Sequence, residues 1–463
     1  MMRNGGRAAW CVLLFCAACA FGPARARAAE GDGASASGEP GGTGVQFSLT
    51  GRHRVRYEAL DPQFRVQPDT HDQVFDLRTD VLLGAHWSHV GVVAELMDSR
   101  GELNDAGSTV STSVADTVEP LQAYVDWTGR FSATGAENTF RAGRITLDVG
   151  KRRLIARNRF RNTSNSFLGF DWTRKGPQGR TLQAFYLRPM RILPNDKSAL
   201  LDNEQRFDRS DPHTDLWGAF YGFPSARSRD RVELYAVQLT ADEKSDRRDL
   251  TTVGTRVYRS SSPGKWHYAV EAMWQTGTST GTVAGVSRSG LDHDAYFAHV
   301  EFGYAFTAPG KPDLMFQYDT ATGDRDPNDD RDQRFDTLYG SRRADFGPTG
   351  IYGPFARANL DTPGLRLGFV PAKRWKGMAA YRTYHLQSDR DAWTTTNLRD
   401  PSGQSGDSLG WQAETQFQWN GVKNRLGVEA GYAYFSKGSF VKRTAPNQSS
   451  PSNYFYTALT VSF

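Results

Sequence analysis

The densest group of residues able to do chemistry lies between Phe140 and Phe167, where eight cationic side chains stand against one acid, Asp148. Arginine keeps its charge at any relevant pH, and its planar fork pairs with carboxylates. A charge run of this kind is often only a solvated face. Beside an aqueous channel, however, it predicts an anion filter. The eight residues are Arg141, Arg144, Lys151, Arg152, Arg153, Arg157, Arg159 and Arg161.

The segments around this run have the pattern of strands with one apolar and one polar face. In residues 45–58 the odd positions are mostly apolar, whereas the even positions carry Arg52, Arg54 and Arg56. Alternation with period two is typical of a half-buried strand. A soluble strand alternates as well, but it rarely runs for a dozen residues, and a tilted membrane strand needs about 9–11. The pattern therefore predicts a membrane strand whose lipid-facing residues include Val45, Phe47 and Leu49.

About 18 segments of this type recur, which predicts an all-β, transmembrane antiparallel β-barrel. A secreted soluble all-β protein is the alternative. Tryptophan and tyrosine crowd the strand ends, as in the aromatic girdles of membrane proteins. Short turns are expected at residues 308–312 and 420–423. Long loops are expected at residues 99–119, 189–214, 278–294, 322–351, 388–408 and 435–453.

The last strand alternates up to the terminal aromatic residue Phe463 and places Phe455, Leu459 and Val461 on its apolar face. Bacterial outer-membrane barrels commonly end in this way. Because an open sheet edge is not tolerated in lipid, the first and last strands are predicted to pair, residues 46–57 with residues 454–463.

The N-terminus has the features of a secretory signal peptide, with two arginines, a short apolar run and an A-x-A site. Cleavage is expected after Ala28, with Ala26 as the second choice, and a lipoprotein attached through Cys19 is a weaker alternative. The predicted organisation is a signal peptide (1–28), a flexible leader (29–44) and one transmembrane barrel (45–463). All three cysteines fall within the signal peptide, so the mature chain has no disulfide.

The net charge of the mature chain and the catalytic motifs that it lacks indicate which classes of function can be set aside. Residues 1–28 hold four arginines and no acid, so their removal lowers the net charge from +5 to +1. A nucleic-acid binder would need a global basic excess, so no nucleic acid is expected as a partner. The catalytic pattern H-E-x-x-H and the phosphate-binding loop are missing from the sequence. The chain is therefore predicted not to be an enzyme, although a barrel enzyme is a minor alternative.

The stretch GRITLDVGKRRLIARNRFRNTSNSF resembles the alginate export family of bacterial outer-membrane barrels, and further similar pieces run from Gly51 to Phe463. Arg144 matches the arginine of the family's Gly-Arg strand, and Arg153 with Leu154 matches its Arg-Leu pair. The resemblance implies an 18-stranded barrel in the outer membrane with an arginine-rich constriction that passes polyuronate outward. It also implies that loops and a periplasmic turn can occlude the pore.

The substrate pathway is predicted to use seven arginines, each of which has a barrel-wall ion pair or a lipopolysaccharide contact as its alternative. Several weak, spaced sites suit a polyanion that must leave as well as enter. A porin for small anions such as phosphate or organic acids is the alternative function. Expected partners are outer-membrane lipid and lipopolysaccharide, an anionic polysaccharide and periplasmic export proteins. The seven residues are Arg52, Arg54, Arg56, Arg78, Arg144, Arg153 and Arg157.

Two local features complete the expectations. Strand parity would place Arg144 toward lipid, which costs roughly 2–4 kcal/mol at the midplane, so a β-bulge is expected near Gly143. Clustered oxygen ligands in residues 321–336 suggest a weak calcium site, with a solvated acidic loop as the alternative, and no other cofactor is expected. The candidate ligands are Asp324, Asp326, Asn328, Asp330 and Asp332.

Overall fold

The computed structural model describes residues 44–65, 71–104, 107–131, 135–226, 228–243, 246–283, 285–421 and 425–463. The predicted signal peptide and all but Gly44 of the predicted leader lie outside these residues. None of the helices within the described ranges is long and apolar enough to cross a bilayer.

Eighteen long antiparallel strands form one closed barrel. They are β1 (Gln46–Asp61), β2 (Asp72–Trp87), β3 (Val90–Glu102), β4 (Asp116–Phe131), β5 (Ala136–Ile145), β6 (Phe167–Lys175), β7 (Thr181–Arg191), β8 (Thr214–Pro224), β9 (Arg231–Glu243), β10 (Asp246–Arg259), β11 (Lys265–Val283), β12 (Val286–Ala305), β13 (Asp313–Ala321), β14 (Leu360–Phe369), β15 (Trp375–His385), β16 (Ser408–Asn420), β17 (Leu426–Lys437) and β18 (Ser452–Ser462).

Short helices and two-residue strands lie in the connections between these strands. Three brief helices, α1 (Lys197–Leu201), α2 (Arg343–Phe346) and α3 (Ser439–Thr444), lie in long loops. Two-residue strands at Arg209–Ser210 and Arg331–Asp332 pair with β7 and β12.

The barrel closes where β1 pairs with β18, from Arg52 opposite Ser462 to Asp61 opposite Asn453. Gly51 and Phe463 extend this ladder, with the Gly51 amide 2.9 Å from the Phe463 carbonyl and the reciprocal bond at 3.0 Å. The predicted pairing of the terminal strands is confirmed. Closure leaves neither strand with an open edge, as lipid requires.

Alternation along the strands separates an apolar outer face from a polar inner face. The six residues predicted to face lipid are all exposed, from 41% for Val461 to 81% for Phe47. On the opposite face of β1 and β2, Arg56, Glu58, Asp76 and Arg78 are buried. These charged residues therefore point into the lumen.

Aromatic residues gather on the outer face near the strand ends, as predicted. Phe140 of β5 stacks on Trp172 of β6 with ring centroids 5.8 Å apart. Trp266 of β11 stacks on Phe302 of β12 at 4.8 Å. Such girdles are found where a barrel meets the membrane interface.

Short turns join the strands at one end of the barrel, and most connections at the other end are long loops. The short turn predicted at residues 308–312 lies between β12 and β13, and residues 422–423 of the one predicted at 420–423 fall outside the described residues. The loop predicted at 278–294 is wrong, because β11 and β12 continue as a hairpin to Val283 and from Val286. Its threonines are β-branched and favour strands, and a register shift between Ser279 and Thr280 accommodates the extension.

Truncation of the terminal ring, Phe463→Ala, is expected to reduce the amount of folded barrel several-fold while leaving the conductance of the folded fraction unchanged. The ring covers Gly51, where a Cβ would lie 2.1 Å from it. Half-burial of a phenylalanine contributes about 1 kcal/mol, and this contact is made at the closing pair of strands. Heat-modifiable mobility of the outer-membrane protein measures the folded fraction.

The matched control is Phe455→Ala, which removes an outward ring of similar exposure from the middle of the same strand. Equal amounts of folded barrel for the two variants would contradict a special role for the terminal residue.

Candidate functional site

The arginine-rich stretch begins in β5 and then enters the lumen as residues 146–166, here called the arginine loop. Its first part reverses direction through a hydrogen bond from the Arg152 amide to the Val149 carbonyl, at 2.8 Å. Gly150 and Arg152 hold φ values of +52° and +65° there. Glycine takes this left-handed conformation readily, so Gly150 allows the tight reversal.

One side of the arginine loop is bound to the wall formed by β1, β2 and β3. The guanidinium of Arg54 donates to the carbonyls of Arg159 and Arg161 at 3.0 and 3.1 Å. Arg78 and Ser99 both donate to the carbonyl of Asn162, at 3.1 and 2.7 Å. Wall side chains thus satisfy the loop's backbone acceptors.

The other side of the loop reaches across the lumen. Arg153 pairs with Glu271 of β11. Leu147, Leu154 and Ile155 are buried in an apolar cluster with inward residues of β7 to β13. The arginine loop therefore crosses the barrel from β1–β3 to β11.

A second segment, residues 322–359 and here called the long loop, pairs with the arginine loop inside the lumen. The Tyr339 amide donates to the Leu154 carbonyl at 2.9 Å, and the Ala156 amide donates to the Tyr339 carbonyl at 3.1 Å. Gly340 packs so closely that a Cβ there would lie 1.8 Å from the Arg153 carbonyl oxygen. The two loops form one ribbon that requires glycine at this point.

Asp345, in α2, is the charged group that ties the two loops together. Its carboxylate accepts two hydrogen bonds from Arg153, at 3.0 and 2.9 Å, and one from Arg357 at 2.5 Å. Burial alone would raise the pKa of Asp345, but Arg153 and Arg357 hold it well below its usual range. The carboxylate therefore stays ionised and keeps the long loop attached.

Six of the seven predicted pathway arginines are bound to carboxylates of the barrel or its loops, and only Arg54 has none within 4 Å among the described residues. The ion pairs balance much of the lumen's positive charge. They are Arg52–Asp80, Arg56–Asp76 and Glu58, Arg78–Asp80, Arg144–Glu119 and Asp208, Arg153–Glu271 and Asp345, and Arg157–Glu95.

The prediction of a bulge near Gly143 is wrong. Residues of β5 pair with β4 and with β6 without any register shift. The irregularity lies instead between β3 and β4, where Glu95 faces Gln122 but Leu96 faces Pro120. Arg144 is nevertheless buried, because it lies near the loop end of β5 and bonds to loop and wall carboxylates rather than to lipid.

Several arginines in the lumen have no carboxylate within 4 Å among the described residues, and three of them, Arg54, Arg161 and Arg342, are here called the arginine trio. Arg161 donates to Asn165 Oδ1 at 2.8 Å, and Arg342 donates to the Phe355 carbonyl at 3.2 Å. The Nε groups of Arg54 and Arg161 are buried and have no acceptor. The seven predicted pathway residues include only Arg54, and Arg161 is named only as part of the cationic run. The missing carboxylate partners of Arg161 and Arg342 depend on how the loops fold.

Burial lowers the pKa of Arg161 to about 10, and burial together with the charges of Arg161 and Arg65 lowers that of Arg342 to about 10. Both guanidiniums are therefore fully charged at neutral pH. Electrostatic repulsion between Arg342 and Arg161 also shows that the two charges lie close together. An anion entering this part of the lumen would relieve the repulsion.

The candidate calcium ligands in the long loop do not form a common ligand set in the described structure. Asp324 pairs with Arg399 at 3.3 Å, and Asp332 accepts from Ser279 at 2.7 Å. Asp326 caps the amide of Asn328 at 3.1 Å. Burial and the charges of Asp391 and Asp332 raise the pKa of Asp324 to about 7. Whether this loop binds calcium stays a prediction.

Comparisons with known proteins agree with this architecture. The family model described as alginate export matches residues 45–455. Among individually curated protein sequences, none matches this chain significantly.

Several solved channel structures share the fold at low sequence identity. The structure of Pseudomonas aeruginosa OccK8 (OprE) is 13% identical, with a TM-score of 0.58 over 90% of this chain and 98% of that one. Pseudomonas aeruginosa OpdK with vanillate is 15% identical, with a TM-score of 0.57 over the same shares. Acinetobacter baumannii OccAB1 is 12% identical, with a TM-score of 0.58 over 90% and 96%.

Asp345 joins the two loops, and its substitution by asparagine (Asp345→Asn) is expected to raise single-channel conductance and to expose the long loop to protease. Breaking a buried ion pair by removing one partner costs about 3–5 kcal/mol. Planar-bilayer recording and limited proteolysis in liposomes measure the two effects.

Asp326→Asn is the control, since Asp326 is exposed and makes only local turn contacts in the same loop. Unchanged conductance and cleavage in the Asp345 variant would show that Asp345 does not hold the loop in the lumen.

Proposed function

Because the chain belongs to the alginate export family and is an outer-membrane β-barrel of the channel type, we propose that it exports an alginate-like polyuronate through its lumen. Passage is passive, and the lumen prefers anions. The family and fold are those of transport channels, and the proposal assigns the chain no enzymatic step.

The observation that carries this proposal is the arginine trio. The three arginines of the trio are permanent cations in the lumen without a carboxylate partner in the described structure, and two of them have an unused buried Nε donor. Buried donors and charges without partners are costly, so they favour a ligand that supplies acceptors. A polyuronate offers one carboxylate on every sugar, and an arginine fork pairs with it directly.

In this proposal the paired arginines of the predicted pathway have a structural role, and the arginine trio binds the substrate. Arg56, Arg78 and Arg153 hold the arginine loop in place through carboxylates and backbone carbonyls. Their charges are balanced, which keeps the lumen from trapping a polyanion. Conduction requires binding that is weak enough to release.

Movement of the two lumen loops is part of the proposed transport cycle. The arginine loop and the long loop cross the lumen, so the proposal requires this ribbon to shift when a polymer passes. The ion pairs of Asp345 must break or rearrange during this movement, because they join the two loops. Handover of the polymer from periplasmic export proteins and contact with lipopolysaccharide at the loop end belong to the same proposal.

A porin for small carboxylates is the second candidate function. It is favoured by the similarity of this fold to Pseudomonas aeruginosa OpdK, whose structure was solved with vanillate. The trio would bind a single carboxylate as readily as one sugar of a polymer. The two candidates differ in the number of carboxylates that the lumen engages at once.

The variants Arg161→Gln and Arg342→Gln are expected to weaken block by polymannuronate oligomers about tenfold each and to shift the reversal potential toward lower anion preference. A charge-assisted hydrogen bond contributes about 1.5–3 kcal/mol, which corresponds to this change. Arg144 and Arg153 are less suitable targets, because their loss would leave buried carboxylates unpaired. Single-channel recording under a chloride gradient gives both values.

The control is Arg180→Gln, an exposed arginine in the turn between β6 and β7. Block that strengthens with oligomer length supports the polymer, whereas equal block by monomeric and oligomeric uronate supports the porin. Wild-type block and reversal potential in both lumen variants would remove the trio from the mechanism.

A further inference from the structure

Three carboxylates meet at the loop end of the barrel, beside the start of the arginine loop. Asp116 and Glu119 belong to β4, and Asp208 belongs to the loop between β7 and β8. One oxygen from each lies within 4.8 Å of the others. The side chains of Glu119 and Asp208 are only 0% and 2% exposed, and Asp116 is 1% exposed.

An irregular backbone brings Asp116 and Glu119 together. Residues three apart on a regular strand point to opposite faces. Here the β3–β4 ladder changes register between Met97 and Ser99, and Val118 holds a φ of +51°. A positive φ is a genuine outlier for a β-branched residue, and such strain concentrates at functional sites.

The charges of this cluster do not balance. Arg144 pairs with Glu119 and with Asp208, and it is the only cation of the described structure within 4 Å of either. Glu119 also accepts the Asp208 amide at 3.1 Å, and Asp208 accepts the Leu193 amide at 3.0 Å. Both oxygens of Asp116 are buried and have no hydrogen-bond donor. With all three carboxylates ionised, as metal binding requires, two negative charges remain after Arg144 is counted.

We propose that Asp116, Glu119 and Asp208 bind a hard divalent cation, Ca²⁺. Carboxylate oxygens are its preferred ligands, at distances of about 2.3–2.6 Å. Two oxygens on opposite sides of such an ion lie about 4.6–5.2 Å apart. The three ligand atoms lie within 4.8 Å of one another, so they are close enough to share one ion. Mg²⁺ usually keeps several of its waters, which suits a buried all-protein site less well.

The cation would fix the loop between β7 and β8 to the barrel wall. Asp208 is the only ligand of the three from that loop, so the ion would add a further connection between the loop and β4. It also sets the position of Arg144, which shares two of the ligands and lies one residue before the end of β5. The site does not depend on the transported substrate, so it stands apart from the proposed function.

Calcium titration of the full chain tests the site, with protein refolded in lipopolysaccharide-free detergent and freed of metal with a chelator. Isothermal calorimetry is expected to show about one Ca²⁺ per chain with a Kd of about 10⁻⁴–10⁻³ M, the range of extracellular modules. Asp116→Asn is expected to weaken binding at least about tenfold, since even loss of an outer-shell partner has that effect. The control is Asp326→Asn, in the acidic loop that the sequence suggested.

Thermal unfolding supplies a second readout. Without calcium, Asp116→Asn should melt at a higher temperature than the wild type, because it removes an uncompensated buried charge, and calcium should no longer raise its melting temperature. Asp208→Asn should lose the calcium-dependent rise as well. Wild-type calcium binding in Asp116→Asn, its loss in Asp326→Asn, or no saturable binding by the wild type would each overturn the proposal.

Discussion

The need to satisfy every backbone amide and carbonyl within the bilayer determines the rest of this structure. No water is available there to bond an open strand edge, so the first and last strands must pair. Their ladder runs from Gly51 and Phe463 to Asp61 and Asn453. Once the sheet is closed, each strand has one face toward lipid and one toward the lumen. The alternation of Phe47 and Leu49 with polar residues follows directly from this closure.

Closure also creates an interior that must accommodate many charges in a small, poorly hydrated space. An isolated buried ion is expensive, whereas a paired and hydrogen-bonded ion is tolerated. Arg56 with Asp76 and Arg153 with Asp345 and Glu271 show the solution that the chain uses. Most lumen arginines are thereby structural, because they fasten the arginine loop and the long loop to each other and to the wall. The arginine trio differs from them in lacking such partners within the described structure.

The similarity to other outer-membrane channels is one of fold, at 12–15% sequence identity. A barrel of this kind supports many permeants, and the function depends on what occupies the lumen. In this chain the lumen holds a ribbon of two loops joined by Tyr339 and Leu154 and secured by Asp345. Specificity and gating would then reside in the same contacts. A change in how the loops pack would alter both the width of the passage and the cations that it exposes.

Local patterning in the sequence was sufficient to predict the strands, their number, the lipid-facing residues and the pairing of the two ends. Each of these depends on period-two alternation and on closure, which are properties of neighbouring residues and of the membrane. The hairpin at residues 278–294 was missed because its small polar residues are also typical of loops, and only pairing across β11 and β12 shows their state.

The partners of the charged residues were decided by tertiary structure alone. Arg153 and Arg161 lie in the same cationic run, yet one holds two carboxylates and the other donates to an asparagine. Asp116 and Asp208 are 92 positions apart and meet only in the folded barrel. Electrostatic energy depends on distance in space and on burial, and neither can be read from spacing along the chain. The sequence thus determined that the lumen is charged, and the packing of the loops decided which charges are balanced and which are available to a ligand.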